Sequence, residues 1–279
     1  MRRTSYALCA ACALTFGIAS SLDRIAVSAD DPRPVPLSKV PPVARFGQVA
    51  LDAQSNFLGR MPGVSVRYGD NGAVSEIKGR TGVFLQSGLA GFKVGEPSNE
   101  LLEKFSPALL AAGTEELRVF RIASQAAIAD PVAQATSPER TIRMVQFIRG
   151  REVLRSAVNI SLNTQTNEVT HLVADFLPDR GLEHEPKLTA ADARAHVEAL
   201  MRDSVLEDEQ KIIFEAAPAR LAYAFEEIGD RGGIGGVLVW VFQASRAGES
   251  VEASVSALTG QVIRIDETAM GINRISYTD

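Results

Sequence analysis

Between residues 117 and 176 four runs of alternating apolar and polar side chains follow one another, at 117–122, 141–148, 153–162 and 169–176. That alternation marks half-buried strands. The middle pair is joined around Arg149-Gly150 and the last pair by residues 163–167. Connections so short cannot carry a parallel crossover, which needs roughly a dozen residues or more, so these strands commit the chain to an antiparallel sheet. Upstream, residues 64–68 and 74–77 alternate in the same way and flank Asp70-Asn71-Gly72, whose Asn and Gly tolerate positive φ and so predict a tight hairpin. Ser98 and Asn99 are cap residues ahead of Leu101, Leu102 and Phe105 on one helical face, and Pro107 is expected to end or restart that helix.

A second module is expected after residues 178–186, where Asp179, Arg180, Gly181, Glu183 and Glu185 lie between prolines and favour neither helix nor strand. Thr189 and Asp192 have the spacing of a capping box, and Ala193, Val197, Leu200 and Met201 fall on one face of the helix it would start. Strands are expected at 211–215, 220–226, 237–244, 251–257 and 261–265, the last two joined through Leu258-Thr259-Gly260. One helix on one curled antiparallel sheet buries both apolar faces, which gives an α+β chain with two such modules in tandem.

The amino terminus has a different character. Met1-Arg2-Arg3, an apolar run over residues 6–22 and Ala26-Val27-Ser28-Ala29 form the basic, apolar and small-residue order of a signal peptide, with cleavage expected after Ala29. Thr15, Gly17, Ser20 and Ser21 interrupt the run, which argues against a membrane anchor. No later segment is apolar enough to span, so the processed chain is expected to be exported, periplasmic or extracellular, without a membrane segment. Prolines at 32, 34, 36, 41 and 42 make residues 30–44 an extended arm. Both cysteines, Cys9 and Cys12, precede the expected cleavage point, so neither disulfide nor thiol chemistry is expected afterwards. The net charge of -5, without a concentrated basic patch, argues against a nucleic-acid partner.

The segment with Gln146, Gly150 and Val153, a Gln-x-x-x-Gly-x-x-Val pattern, resembles the fungalysin/thermolysin propeptide module. The stretch from Leu188 to Ala193, the strand from Arg220 to Tyr223, Trp240 and the closing turn at Gly260 resemble a PepSY domain. Their order over roughly residues 45–268 is similar to the prosegment of thermolysin-type metallopeptidases. The resemblance implies a cystatin-like α+β fold in each half: a propeptide-like domain over 45–177, a linker over 178–186, a PepSY-like domain over 187–268 and a tail over 269–279. It also implies that such segments assist folding of their peptidase and block its cleft. Ile272, Ile275 and Tyr277 in the tail are then the candidate peptidase contacts, offered to a pocket or strand edge.

Catalysis is not expected from this sequence. A thermolysin-type zinc site needs His-Glu-x-x-His on a helix. The three histidines, His171, His184 and His196, do not supply that spacing. Glu183, His184 and Glu185 are adjacent and cannot all converge on one ion, and they read as a solvated linker. The glycines from Gly232 to Gly236 precede strand rather than helix, so a phosphate cradle is not expected and a flexible hairpin connection is. Glu226, Glu227 and Asp230 read as a charged hairpin end rather than a carboxylate pair, and no Gly-x-Ser-x-Gly turn is present. Gln146 and Gly150 have a sufficient structural role, the amide bridging backbone groups and the glycine turning the chain. Tyr223 and Trp240 read first as sheet residues. The expectation is a non-catalytic, cofactor-free, prosegment-like protein that binds a thermolysin-type metallopeptidase as inhibitor or folding helper, of unknown oligomeric state. A cell-envelope binding or scaffold module and a truncated peptidase precursor are the alternatives.

Overall fold

A computed structural model describes residues 46–124, 138–203, 212–228, 233–246 and 248–267. The expected signal peptide, the arm at 30–44 and the tail with Ile272, Ile275 and Tyr277 lie outside the described residues, as does Asp230. The chain is α+β, with two antiparallel sheets and, among the described residues, three α-helices.

The first sheet contains β1 (Ser65–Tyr68), β2 (Val74–Lys78), β3 (Glu115–Ser124), β4 (Glu139–Ile148), β5 (Arg151–Glu152), β6 (Ala157–Asn163) and β7 (Val169–Asp175). Its order is β1-β2-β7-β6-β4-β3, with β5 a short return beside β4. The register lines up one apolar row across six strands: Val66, Ile77, Leu172, Ile160, Ile142 and Ile122. A one-residue slip in any strand would turn its member of the row to solvent, so burial of this face fixes the register. The expected strand at 153–162 is broken, because Arg155 takes a left-handed φ of 60° and Val153 leaves the sheet before β6 begins.

Two helices cover that row. Helix α2 (Asn99–Leu109) buries Leu101, Phe105, Ala108 and Leu109. Pro107 lies inside its last turn instead of ending it. The carbonyl that the missing Pro107 N–H would have bonded belongs to Glu103, and the Ser106 hydroxyl donates to it at 3.0 Å, which removes much of the usual cost. The helix stops three residues later at Leu110, left-handed at φ 55°, with Ala111 N–H returning to Ser106 O at 3.0 Å.

Helix α1 (Gln48–Gly59) has no counterpart in the sequence expectations. Its buried residue is Gln54, whose amide donates to Gly72 O at 3.2 Å and to Ala108 O at 2.9 Å. It is pinned to the β1–β2 turn and to α2 by hydrogen bonds, helped by an edge-on contact of Phe57 with Phe105 at 5.8 Å.

The second sheet contains β8 (Ile212–Phe214), β9 (Arg220–Ile228), β10 (Gly233–Arg246), β11 (Glu249–Ser256) and β12 (Val262–Glu267). β10 is central: β11 pairs along one side, while β9 and β8 share the other side end to end. Helix α3 (Ala190–Asp203) starts at the capping box, with Thr189 Oγ1 donating to Asp192 Oδ2 at 2.6 Å and Asp192 N–H donating back to Thr189 Oγ1 at 3.1 Å. Its Ala193 and Val197 are buried against Phe242, Ala244 and Val255, whereas the Leu200 and Met201 side chains lie outside the described residues. Gly233, Gly235 and Gly236 are not a loop but part of β10, paired with β9. Among the described residues no helix is long and apolar enough to cross a membrane.

Candidate functional site

The residues that carry the family resemblance lie mainly where the two sheets are joined. β4 ends in a turn whose central residues, Arg149 and Gly150, have φ of 51° and 77°, the pair of positive values that a tight hairpin turn of this twist requires. The turn brings Val153 back so that its N–H donates to Gln146 O at 2.9 Å, while Gln146 N–H donates to Ser156 Oγ at 2.8 Å. The Gln146 side chain is fully buried. Its amide nitrogen donates to Leu177 O at 2.6 Å, and its amide oxygen accepts Leu177 N–H at 2.9 Å. It therefore replaces a strand neighbour for the chain leaving β7.

Val153 then forms a parallel bridge with Tyr223 of β9, and Leu154 N–H donates to Tyr223 O at 2.8 Å. Ile148, Val153, Leu177, Leu182, Tyr223, Leu238 and Ala257 make one apolar cluster drawn from both sheets and from the segment between them. Arg220 of β9 adds an ion pair to Glu152 of β5 at 2.9 Å.

Within residues 178–186 Pro178, Asp179 and Leu182 are buried, whereas Gly181, Glu183 and Glu185 are exposed as expected of a solvated linker. The Asp179 carboxylate is buried and accepts from Arg149 Nε at 3.1 Å and from the Thr114 hydroxyl, while Asp179 N–H donates to Glu115 Oε1 at 2.7 Å. Glu115 turns back on its own loop and accepts the N–H groups of Ala112, Gly113 and Thr114 as well, at 2.9–3.1 Å. His184 lies between the modules. Its Nδ1 is 2.8 Å from the Tyr223 hydroxyl and its Nε2 is 3.2 Å from Asp179 Oδ1, while its backbone oxygen accepts from Arg151. Among the described residues Asp179 Oδ1 has no partner of hydrogen-bond geometry, so the His184 Nε2 contact is one of distance only.

Asp179, His184 and Tyr223 thus stand in the order acid, imidazole, hydroxyl, with a hydrogen bond only between His184 and Tyr223. The hydroxyl belongs to Tyr223, a residue with 0% exposure at the seam between the sheets. Sequence reasoning missed Glu115 and Asp179, because nothing in one chain of letters distinguishes a carboxylate that caps buried N–H groups from a solvated one. With both imidazole nitrogens in the seam, His184 is not available to a metal with Glu183 and Glu185. Among the described residues no group of three or more His, Cys, Asp or Glu side chains is placed to hold an ion.

Burial pushes the Tyr223 phenol above its ordinary value. In the unfolded chain the phenol ionises near pH 10, while the fold retains the neutral form. Its contribution to stability is therefore complete below that pH and is lost as pH rises through the native value. A Tyr223→Phe variant is expected to lose about 1 kcal/mol at neutral pH with the His184 bond and to show a shallower alkaline decline. Urea midpoints measured from neutral to strongly alkaline pH check this, and parallel curves for the two proteins would contradict it.

The other motif positions have structural duties. Trp240 Nε1 donates to Leu188 O at 2.9 Å, fixing the approach to α3. Gly260, at φ 75°, lies where a Cβ would stand 2.9 Å from His196 of α3, so both its conformation and its size are needed.

No family model matches the chain, and no curated protein matches it. Among solved structures the chain is similar to the Bacillus megaterium YpeB C-terminal domain, with 13% identity, 78% of this chain and 96% of that chain covered, and a TM-score of 0.29. A score that low carries no argument.

Proposed function

We propose that this chain is an exported, non-catalytic, prosegment-like protein that binds a thermolysin-type metallopeptidase as inhibitor or folding helper, each half being a cystatin-like module. One observation carries the reading: Gln146 and Val153, from the first motif set, and Tyr223, from the second, meet at one seam. Two motif sets that were unrelated would have no reason to converge on one another's backbone. Helices packed on one face of each sheet support the cystatin-like reading. The leader-like first 29 residues support export.

Two sheets fastened by buried bonds make a rigid body, and a rigid surface loses less entropy on binding a large partner than a flexible one. Titrating the purified chain into a thermolysin-type peptidase is expected to slow peptide cleavage at roughly micromolar concentration, or to raise the yield of active peptidase on refolding. Unchanged cleavage, unchanged yield and no complex on gel filtration would remove the proposal. Removing residues 268–279 tests the tail contacts: binding that survives intact places the contact elsewhere than Ile272, Ile275 and Tyr277.

A further inference from the structure

The β1–β2 turn, the connection between β5 and β6, the end of β7 and the face of the second sheet opposite α3 enclose a cleft of about 310 Å³. That volume is in the range of small-molecule sites, which favour junctions between modules and combine an apolar floor with a few polar groups. The floor here includes Val74, Phe176 and Ala224, none more than 5% exposed. Ser254 of β11 also opens on the cleft. It is 2% exposed, and its hydroxyl has no hydrogen-bond partner among the described residues.

The rim carries both signs of charge. Asp70 of the β1–β2 turn and Asp175 at the end of β7 are exposed, and neither carboxylate has an ion-pair partner among the described residues. Arg155 and Arg264, from the β5–β6 connection and from β12, also line the cleft. Unpaired carboxylates recruit a cation, guanidinium groups recruit a carboxylate, and a hydroxyl that opens on the cleft suits a polar atom delivered by a ligand.

We propose that this cleft binds a small zwitterion with an apolar body, of the dipeptide class. The ammonium group lies by Asp70 and Asp175, the carboxylate by Arg155 and Arg264, the apolar side chains over Val74, Phe176 and Ala224, and a ligand amide group within reach of Ser254. Both sheets contribute walls, so occupancy would brace the seam from the side opposite α3. The proposal is independent of any peptidase partner.

Isothermal titration of the full chain with phenylalanyl-leucine tests it, alongside the N-acetylated and C-amidated forms of the same dipeptide. The free dipeptide is expected to bind at roughly millimolar concentration or tighter, and each capped form about tenfold more weakly. Asp175→Asn, at an exposed position, is expected to weaken the free dipeptide about tenfold without changing the far-ultraviolet circular dichroism, and Ser254→Ala to weaken it several-fold. No heat of binding at about ten millimolar, equal affinity for all three ligands, or wild-type affinity in Asp175→Asn would each overturn the assignment.

Discussion

Replacing Gln146 with Leu is expected to lower the unfolding free energy by roughly 2–4 kcal/mol, the largest loss from any single polar side chain of the seam. The leucine fills similar space, so packing is not what fails. What fails is the pairing of Leu177, whose N–H and C=O both bond the Gln146 amide and whose side chain is only 3% exposed. Water cannot reach those two backbone groups while the cluster around Leu177, Leu182 and Tyr223 stays closed. Urea denaturation with an unchanged slope checks the value. A shift below about 1 kcal/mol would mean that the Leu177 groups find other partners.

Gly236→Val is expected to cost roughly 1–3 kcal/mol by overpacking. A Cβ at this position would stand 2.5 Å and 2.9 Å from the methyl carbons of Leu177 and 2.9 Å from one of Leu182. Leucine side chains in the open would rotate away, but these two are enclosed in the seam. The strand therefore has to shift, or the segment between the sheets has to lift off it. A double-mutant cycle with Leu177→Ala separates this from a loss of strand preference, because valine favours strands. Non-additivity of about 1 kcal/mol or more is expected, and strict additivity would show that the contact does not set the cost.

These two positions also show what the sequence reveals and what it hides. The Asp70-Asn71-Gly72 turn, the Thr189–Asp192 capping box and the strand succession from β3 to β7 were legible because their signals are local, each within a few residues of its consequence. The glycines before Val237 invited the opposite reading, a loop. Their small size serves close approach across a sheet face, and the approaching residues lie more than fifty positions earlier. Helix α1 escaped because its buried contact is Gln54, which contributes nothing to apolar periodicity. The segment from 178 to 186 looked solvated because Asp179 and His184 are polar, and only the fold shows that Arg149, Thr114 and Tyr223 meet them there. At the seam, Gln146 and Tyr223 were noticed as pattern residues, whereas Glu115, which holds four backbone N–H groups, was not.

β10 runs for 14 residues, about 45 Å if fully extended. Its early half meets Leu177 and Leu182 through Gly236, and its later half lies beneath α3 through Phe242 and Ala244. One continuous backbone thus underlies both the join to the first sheet and the helix-covered core, like a keel.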